Sequence, residues 1–502
     1  MAKNLSVLAY DLGSSGGKVV RCRYSGEHLH LDTIHQFPNR PMRVHGSDFW
    51  DVLRIHGEAM HGLRRALSDT PEILSIGFST WGVDYGLLDS SGKLVNLVHS
   101  YRDNRTEGLY QRIFEILPQD FIYKTTGIMF IRFNTIVQLY ADLINQPYLM
   151  DNADAMLLMP DLFTYLFTRQ IASEVTISST TQMVNPATLS WALDLPDALG
   201  IPTRILQPIV HPGKVVGAIT SENAEIAGAS RPINVVAVGG HDTASAIAAA
   251  PIGDPSRTAF ISAGTWSLLG MELDEPVLTD AAFGANFTNE VGVGNKIAFH
   301  KIIAGMWLLQ GLKLDWEREG KHLSYGNMDR AADRAAKFAF VFDPDDERLM
   351  NPLSMIGAIS ECVHSAGDPK PSSVGEFVRA VYECLALDYR YEIEALERVT
   401  GHTVETISMV GGGSRAELLC QMVADATGRE VMAGPAEATS MGNALVQLAA
   451  AGEIASLQDG RDVVRHSCEL RAYHPSDLHR EEWARAYERF SGLKSNRRSE
   501  CV

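Results

Sequence analysis

The sequence predicts an α/β protein of two or three domains that uses one hairpin architecture twice. Three observations carry that expectation. The chain has 502 residues, more than one hydrophobic core usually serves. Strand-like segments open it and then alternate with helical patterns, the order of a layered α/β or α+β domain. The run "LAYDLGSSGGKVV" (8–20) returns in outline about 250 residues later as "TAFISAGTWSLLGMEL" (258–273), again a strand, a small-residue turn and a strand.

The elements follow in order. Alternating β-branched and apolar residues predict strands over 5–11, 18–24, 73–80 and 84–89, punctuated by turn signals such as "SGE" and "SSGK". Helical spacing covers 48–67 and 134–145. Around 230–250 the pattern restarts: "INVVAVGG" reads as a buried strand, "HDTASAIAAA" as a short Ala-rich helix and "PIGDPSR" as a boundary loop. A helix is expected near 300–318, with Ile302, Ile303, Met306, Trp307 and Leu309 on its apolar face, and another over 374–399. In "ISMVGGGSRAELLCQMVADATG" (407–428) a strand, three glycines and a helix are expected. Ser414 and Glu417 stand at capping-box spacing there, and Gly428 is a C-terminal stop. The last 35 residues read as a closing helix with a frayed "SNRRSECV" end.

Composition excludes several classes. Hydrophobic residues at 45% and charged ones at 21% are ordinary for a soluble globular protein. Sixty-one acids against 44 bases give −17, which argues against a nucleic-acid or membrane surface as partner, since both attract cationic patches. The six cysteines are scattered without a C-x-x-C pair, as expected of reduced thiols in a cytosolic enzyme. No signal peptide opens the chain, and no apolar run approaches the roughly 20 residues that span a bilayer. A cytoplasmic protein is expected.

The chemistry lies in five segments. "DLGSSGGK" (11–18) lacks both the dinucleotide fingerprint and the Walker spacing, and "KVVRCRY" after it reads as a returning strand rather than a helix. It is therefore a hairpin with an acid at its neck. Paired with "SAGTWS" (262–267), it makes two similar turns that can hold one polyphosphate between them through backbone N–H groups and hydroxyls. Asp11 is a turn residue or holds water on a phosphate-bound Mg²⁺; Lys18 is a solvated strand end or a phosphate contact. In "GGHDTASA" (239–246), Asp242 is an N-cap or a base that accepts a proton from a substrate hydroxyl. A base must keep a free oxygen. "VGGGSRAE" (410–417) packs closely or admits a nucleobase or ribose to the backbone. In "STWGVDYGLLD" (79–89), Gly82 offers backbone access, Trp81 an apolar wall and Asp84 a carboxylate acceptor, which are a sugar's requirements. No His/Cys metal cluster is present.

Together with "YRDNRT", "LLMPDLFTYLFT" and "GPAEATSMGNALVQL", these segments resemble the FGGY carbohydrate kinases over nearly the whole chain. The resemblance implies a two-domain actin/hexokinase-like (ribonuclease H-like) ATPase fold with an interdomain cleft. Residues 1–250 would bind sugar and carry the first phosphate hairpin, 251–465 would bind nucleotide, and 466–502 would form a helix and tail. Carried over residue by residue, it makes Asp242 the proton acceptor, with Gly82, His241 and Thr243 lining the sugar beside Trp81 and Asp84. Ser14, Ser15, Gly16, Gly17, Lys18, Gly264 and Thr265 would contact ATP phosphates. Gln310 and Gly411 or Gly412 would hold the nucleotide, and Asp11 would sit near Mg²⁺. The implied partners are a small sugar and MgATP, with homo-oligomerisation left open.

Within the family, "TWGVDYGLLD", "YRDNRT", "HDTASA" and "GTWSLLG" are most similar to the branch that phosphorylates L-rhamnulose at its primary hydroxyl. One position departs: "KIIAGMW" puts Ile302 where that branch has a polar sugar contact. L-fuculose, xylulose and other ketoses therefore remain alternatives. A sugar sensor on the same fold and an actin-like or chaperone-type ATPase are the rivals from other classes.

Overall fold

The computed structural model describes residues 5–70, 72–350 and 352–500. They form two compact units that interleave along the chain. One gathers Met1–Ala249, Glu272–His300 and Glu437–Cys468, the other Ala250–Met271, Lys301–Ala436 and Glu469–Val502. This spatial division differs from the chain-order segments 1–250, 251–465 and 466–502, because 272–300 and 437–468 fold with the first unit.

The first unit is built on a six-stranded sheet. Its order is Val215–Ala218, Asn234–Val236, Ser75–Thr80, Leu5–Leu12, Gly16–Tyr24, Leu29–Pro38. Leu5–Leu12 runs parallel to Ser75–Thr80 and antiparallel to Gly16–Tyr24. Its residues are almost all buried, because both faces of the sheet are covered. On one face lies helix Val52–Asp69, started by the Asp51 carboxylate, which accepts from Arg54 N at 3.0 Å. It buries Ile55, Ala59 and Leu63 in a core that includes Tyr10, Phe78 and Phe167. The other face meets helix Ala438–Ala450: a Cβ on Gly77 would lie 3.0 Å from Asn443 Oδ1, while Phe78, next along the strand, points into the opposite core. Gln447 donates to Leu8 O at 3.0 Å and Asn443 to Gly77 O at 3.1 Å. The same helix crosses Asp242–Ala248 so closely that a side chain at Gly442 would strike Ser245 O.

In the second unit, Thr258–Ala263 forms a hairpin with Ser267–Leu273 and runs parallel to Thr406–Val410. Glu430–Ala433 and Arg471–Tyr473 extend that sheet. Helix Val374–Thr400 starts in a Ser373/Glu376 capping box and ends on Gly401 with φ 73°.

Two expectations are corrected. The helix near 300–318 is a strand, Ile297–Ile303, followed by a helix, Trp307–Arg318. The backbone between them is used elsewhere: Ala304 N donates to the Asp345 carboxylate at 2.7 Å, while Met306 N and Trp307 N donate to Gly264 O and Thr265 O, each at 3.1 Å. The capping box at Ser414 does not form. Ser414 Oγ donates to Gly411 O at 2.7 Å, closing a short 3₁₀ turn over Gly412–Arg415, and helix Glu417–Thr427 starts after Ala416 without a side-chain cap. Gly428 does stop it, at φ 69°. Helix Arg480–Glu500 carries the closing segment, of which Cys501 and Val502 lie outside the described residues. Among those described, none of Cys22, Cys362, Cys384, Cys420 and Cys468 is in a disulfide, and no helix is long and apolar enough to cross a membrane.

Candidate active site

The strand Asn234–Val236 runs out into two glycines that turn the chain into helix Asp242–Ala248. Gly239 O accepts from Ser79 Oγ at 2.9 Å and Ser245 Oγ at 2.7 Å, and Gly240 O accepts from Thr80 N at 2.8 Å. A Cβ on Gly239 would sit 2.8 Å from Ser245 N, so only glycine fits this turn. His241 occupies the N-cap position without a side-chain cap, and Asp242 is the first helical residue. The N-cap role for Asp242 is thereby corrected. Its carboxylate, with a side chain 31% exposed, accepts from Thr243 Oγ at 3.4 Å and from the Thr243 N–H, with His241 Nε2 at 3.5 Å. Both side-chain contacts fall on Oδ1.

The electrostatics favour a charged pair. Burial pushes the Asp242 carboxyl up, and the neighbouring His241 pulls against that shift. The His241 ring is raised to about 9 despite its burial, because Nδ1 lies 2.8 Å from Glu290 Oε2. Glu290 in turn stays below the usual carboxylate range despite burial, with His300 Nε2 at 3.6 Å on its other oxygen. The arrangement Asp242–His241–Glu290–His300 holds the His241 ring between two carboxylates. Glu290 and His300 went unmarked in the sequence, where one acid in the strand Thr288–Val291 has no distinguishing neighbours.

Gly82, Val83 and Asp84 form a γ-turn, with Asp84 N donating to Gly82 O at 2.9 Å and Val83 at φ 68°. Positive φ at a β-branched residue costs on the order of 1–3 kcal/mol and persists only where the surroundings impose it. Here Val83 N donates to Thr180 Oγ at 3.2 Å, and Val83 O accepts from Thr135 Oγ at 2.7 Å and Gln138 Nε2 at 3.2 Å. The turn brings Gly82 against Thr180 and His241: an added Cβ would lie 3.5 Å from His241 Nε2. Asp84 points the other way. It is wholly buried and accepts from Trp50 Nε1 (2.7 Å), Trp81 Nε1 (2.9 Å), Tyr101 N (3.0 Å) and Gln138 Nε2 (3.1 Å). The sugar-acceptor role for Asp84 is thus corrected: its oxygens are spent on tying the Trp81 segment together.

The first hairpin keeps its turn through Gly13 N to Gly16 O at 3.0 Å. Gly17 has no room for a side chain, since a Cβ would fall 2.2 Å from the Phe37 ring. Ser14 Oγ accepts from Tyr101 Oη at 3.4 Å and Ser15 O from Asn39 N at 3.2 Å. Asp11 faces Lys18 across the strands, and Lys18 Nζ pairs with Glu437 Oε2 at 2.7 Å. Burial raises the Asp11 carboxyl to about 7, and Asp242 and Glu437 push it the same way against Lys18. Such a carboxylate is short of positive charge and fits a divalent cation. Among the described residues no group of three or more His, Cys, Asp or Glu stands ready to hold a metal ion by itself.

The second unit assembles its own set. Gly264 N donates to Trp266 O at 3.0 Å, and a Cβ on Gly305 would meet Thr265 O at 2.6 Å. Gly411, at φ 83°, lies over Ala263, with 3.1 Å from its missing Cβ to Ala263 O. Gln310 is exposed on helix Trp307–Arg318. Thus Gly264, Thr265, Gly411, Gly412 and the start of the Gln310 helix converge in one unit. Asp11, Gly82, His241 and Asp242 lie in the other.

Residues 6–248 match the N-terminal domain of the FGGY family of carbohydrate kinases, and residues 259–451 its C-terminal domain. The chain belongs to that family. It is 38% identical over 482 residues to a rhamnulokinase from Bacteroides thetaiotaomicron, covering 96% of this chain and 98% of that one. A Klebsiella pneumoniae rhamnulokinase is 40% identical over 473 residues, covering 93% and 94%. A ligand-bound xylulose kinase from Lactobacillus acidophilus shares the fold at TM-score 0.80 and 15% identity, covering 98% of each chain. The protein is therefore an ATP-dependent carbohydrate kinase of two-domain, mixed α/β architecture.

Proposed function

We propose that this kinase transfers the γ-phosphoryl group of ATP to the primary hydroxyl of a ketose, with L-rhamnulose the substrate and L-rhamnulose 1-phosphate and ADP the products. The observation that carries the mechanism is Asp242, an acid at a helix start, 31% exposed, whose contacts from Thr243 Oγ and His241 Nε2 both fall on Oδ1. Asp242 orients the hydroxyl and takes its proton as the oxygen attacks phosphorus; His241 and Thr243 hold the neighbouring sugar oxygens, and Gly82 and Trp81 form the wall. Phosphoryl transfer needs positioning and neutralised charge more than covalent help. Ser14 to Lys18 and the Gly264–Thr265 turn offer N–H groups and hydroxyls to the phosphates. Gln310 and the Gly411–Gly412 turn receive the nucleoside. Mg²⁺, when bound with ATP, supplies charge neutralisation on the phosphates, and Asp11 would hold it through water. Residues 1–250 serve the sugar and 251–465 the nucleotide, in an enzyme of the cytoplasm.

The substrate reading rests on relatives named rhamnulokinase. Ile302 favours a second reading, since it is half-buried and cannot hydrogen-bond a hydroxyl, at a cost of about 1–3 kcal/mol for an unpaired partner. Coupled ADP release with MgATP against L-rhamnulose, L-fuculose, L-ribulose, L- and D-xylulose and glycerol decides between them. L-rhamnulose is expected to give the highest kcat/KM. A higher value on another ketose moves the specificity, and silence across the panel overturns the kinase assignment for ketoses.

A further inference from the structure

The loop that delivers His241 and Asp242 is held by two buried residues. Glu174 and Thr176 are 3% and 0% exposed. Glu174 caps the short helix Val175–Ser179, accepting from Thr176 N at 2.9 Å on one oxygen and Ile177 N at 3.1 Å on the other. The second oxygen also takes Thr176 Oγ at 2.6 Å and Gly240 N at 3.0 Å. Thr176 Oγ then accepts from His241 N at 3.2 Å. Two successive N–H groups, on the residues immediately before the proposed base, are thus spent on one buried Glu–Thr pair. Both amides are buried, and without these acceptors they would be left unpaired. The approach is direct: a Cβ on Gly240 would fall 2.6 Å from Glu174 Oε2. Glu174 is itself fixed, its N–H donating to Asp161 Oδ1 at 3.1 Å.

We propose that Glu174 and Thr176 are positioning residues for phosphoryl transfer, clamping the Gly240–His241 backbone so that the His241 ring and the Asp242 carboxylate keep their direction. With Gly240 O tied to Thr80 N, the peptide before His241 is held at both its oxygen and its nitrogen sides. Neither residue touches sugar or nucleotide. The proposal rests on Asp242 being the base, and a displacement of about 1 Å at a reacting group costs on the order of a hundredfold in rate.

Thr176→Val removes the hydroxyl at nearly constant shape, and Thr176→Ser restores it. In the full-length chain without substrate, hydrogen exchange at the His241 amide is expected to quicken at least about tenfold in the Val variant. Its kcat is expected to fall roughly thirtyfold, with KM for ATP within about twofold and the Ser variant back near wild type. Unchanged amide protection in Thr176→Val, or a kcat loss that Thr176→Ser fails to recover, overturns the clamp. Should the Val variant not fold, Glu174→Gln, which keeps the size but turns one acceptor into a donor, is read on the same two measurements. A wild type silent on every ketose overturns the proposed function and with it the catalytic role of the clamp, while unchanged exchange at His241 in the Val variant of an active wild type overturns the clamp alone.

Discussion

The two hairpins share a backbone plan and differ in charge. The first, Leu5–Leu12 with Gly16–Tyr24, carries Asp11 and Lys18 at its neck, and its unit also holds His241, Asp242, Glu290 and Glu437. The second, Thr258–Ala263 with Ser267–Leu273, presents Gly264, Thr265 and Trp266 at its turn, close to Gly411 and Gly413. A repeated fold has thus been loaded asymmetrically. In the proposed mechanism, groups that neutralise charge or move protons belong to one unit, and neutral donors for the nucleotide belong to the other. If so, substitutions in the first unit should lower kcat and those in the second should raise KM for ATP.

The largest effect is expected at Asp242. Asp242→Asn should lower kcat about a thousandfold, the scale of losing a general base, with calorimetric ATP affinity unchanged. Retention of most activity would refute its role. Asp11→Asn comes next: kcat should fall roughly a hundredfold and the Mg²⁺ concentration needed for half-maximal rate should rise. Glu290→Gln acts through His241. In the wild type the charged ring adds stability that is fully present below the ordinary imidazole value and lost as pH rises through about 9. The alkaline limb of kcat/KM for the sugar should therefore lie near 9 and move toward about 6.5 in the variant. An unmoved limb would detach His241 from catalysis. Smallest is Thr265→Val, expected to raise KM for ATP about tenfold with kcat nearly constant, the cost of one phosphate hydrogen bond. A kcat loss as large as that of Asp11→Asn would break the comparison.

The sequence made both hairpins legible because strand, glycine turn and strand are local patterns. The helix expected near 300–318 failed for the opposite reason. "IAFHKII" is short and apolar throughout, so its periodicity does not separate strand from helix, and the break is made by Asp345, Gly264 and Thr265 from distant parts of the chain. Asp84 misled for a chemical reason, since a carboxylate beside Trp and Gly looks the same whether it serves a hydroxyl or an indole N–H. Glu174, Thr176 and Glu290 carry no local signal. Glu174 and Thr176 meet the Gly240–His241 backbone across 66 and 65 residues, and only the fold supplies that juxtaposition.

The return of residues 437–468 to the first unit also sets an order on biogenesis. Gln447 accepts from Ser75 Oγ at 2.7 Å, a partner 372 residues earlier. At about 5–20 residues per second the ribosome takes between about 20 and 75 s to cover that distance. Throughout that interval the backbone of Leu8 and Gly77 lacks the side chains that later bind it, and the last two strands of the sheet, Val215–Ala218 and Asn234–Val236, are made part-way through it. The unit begun first is among the last to be completed, and a nascent chain stalled before Ala438 exposes one face of its central strands.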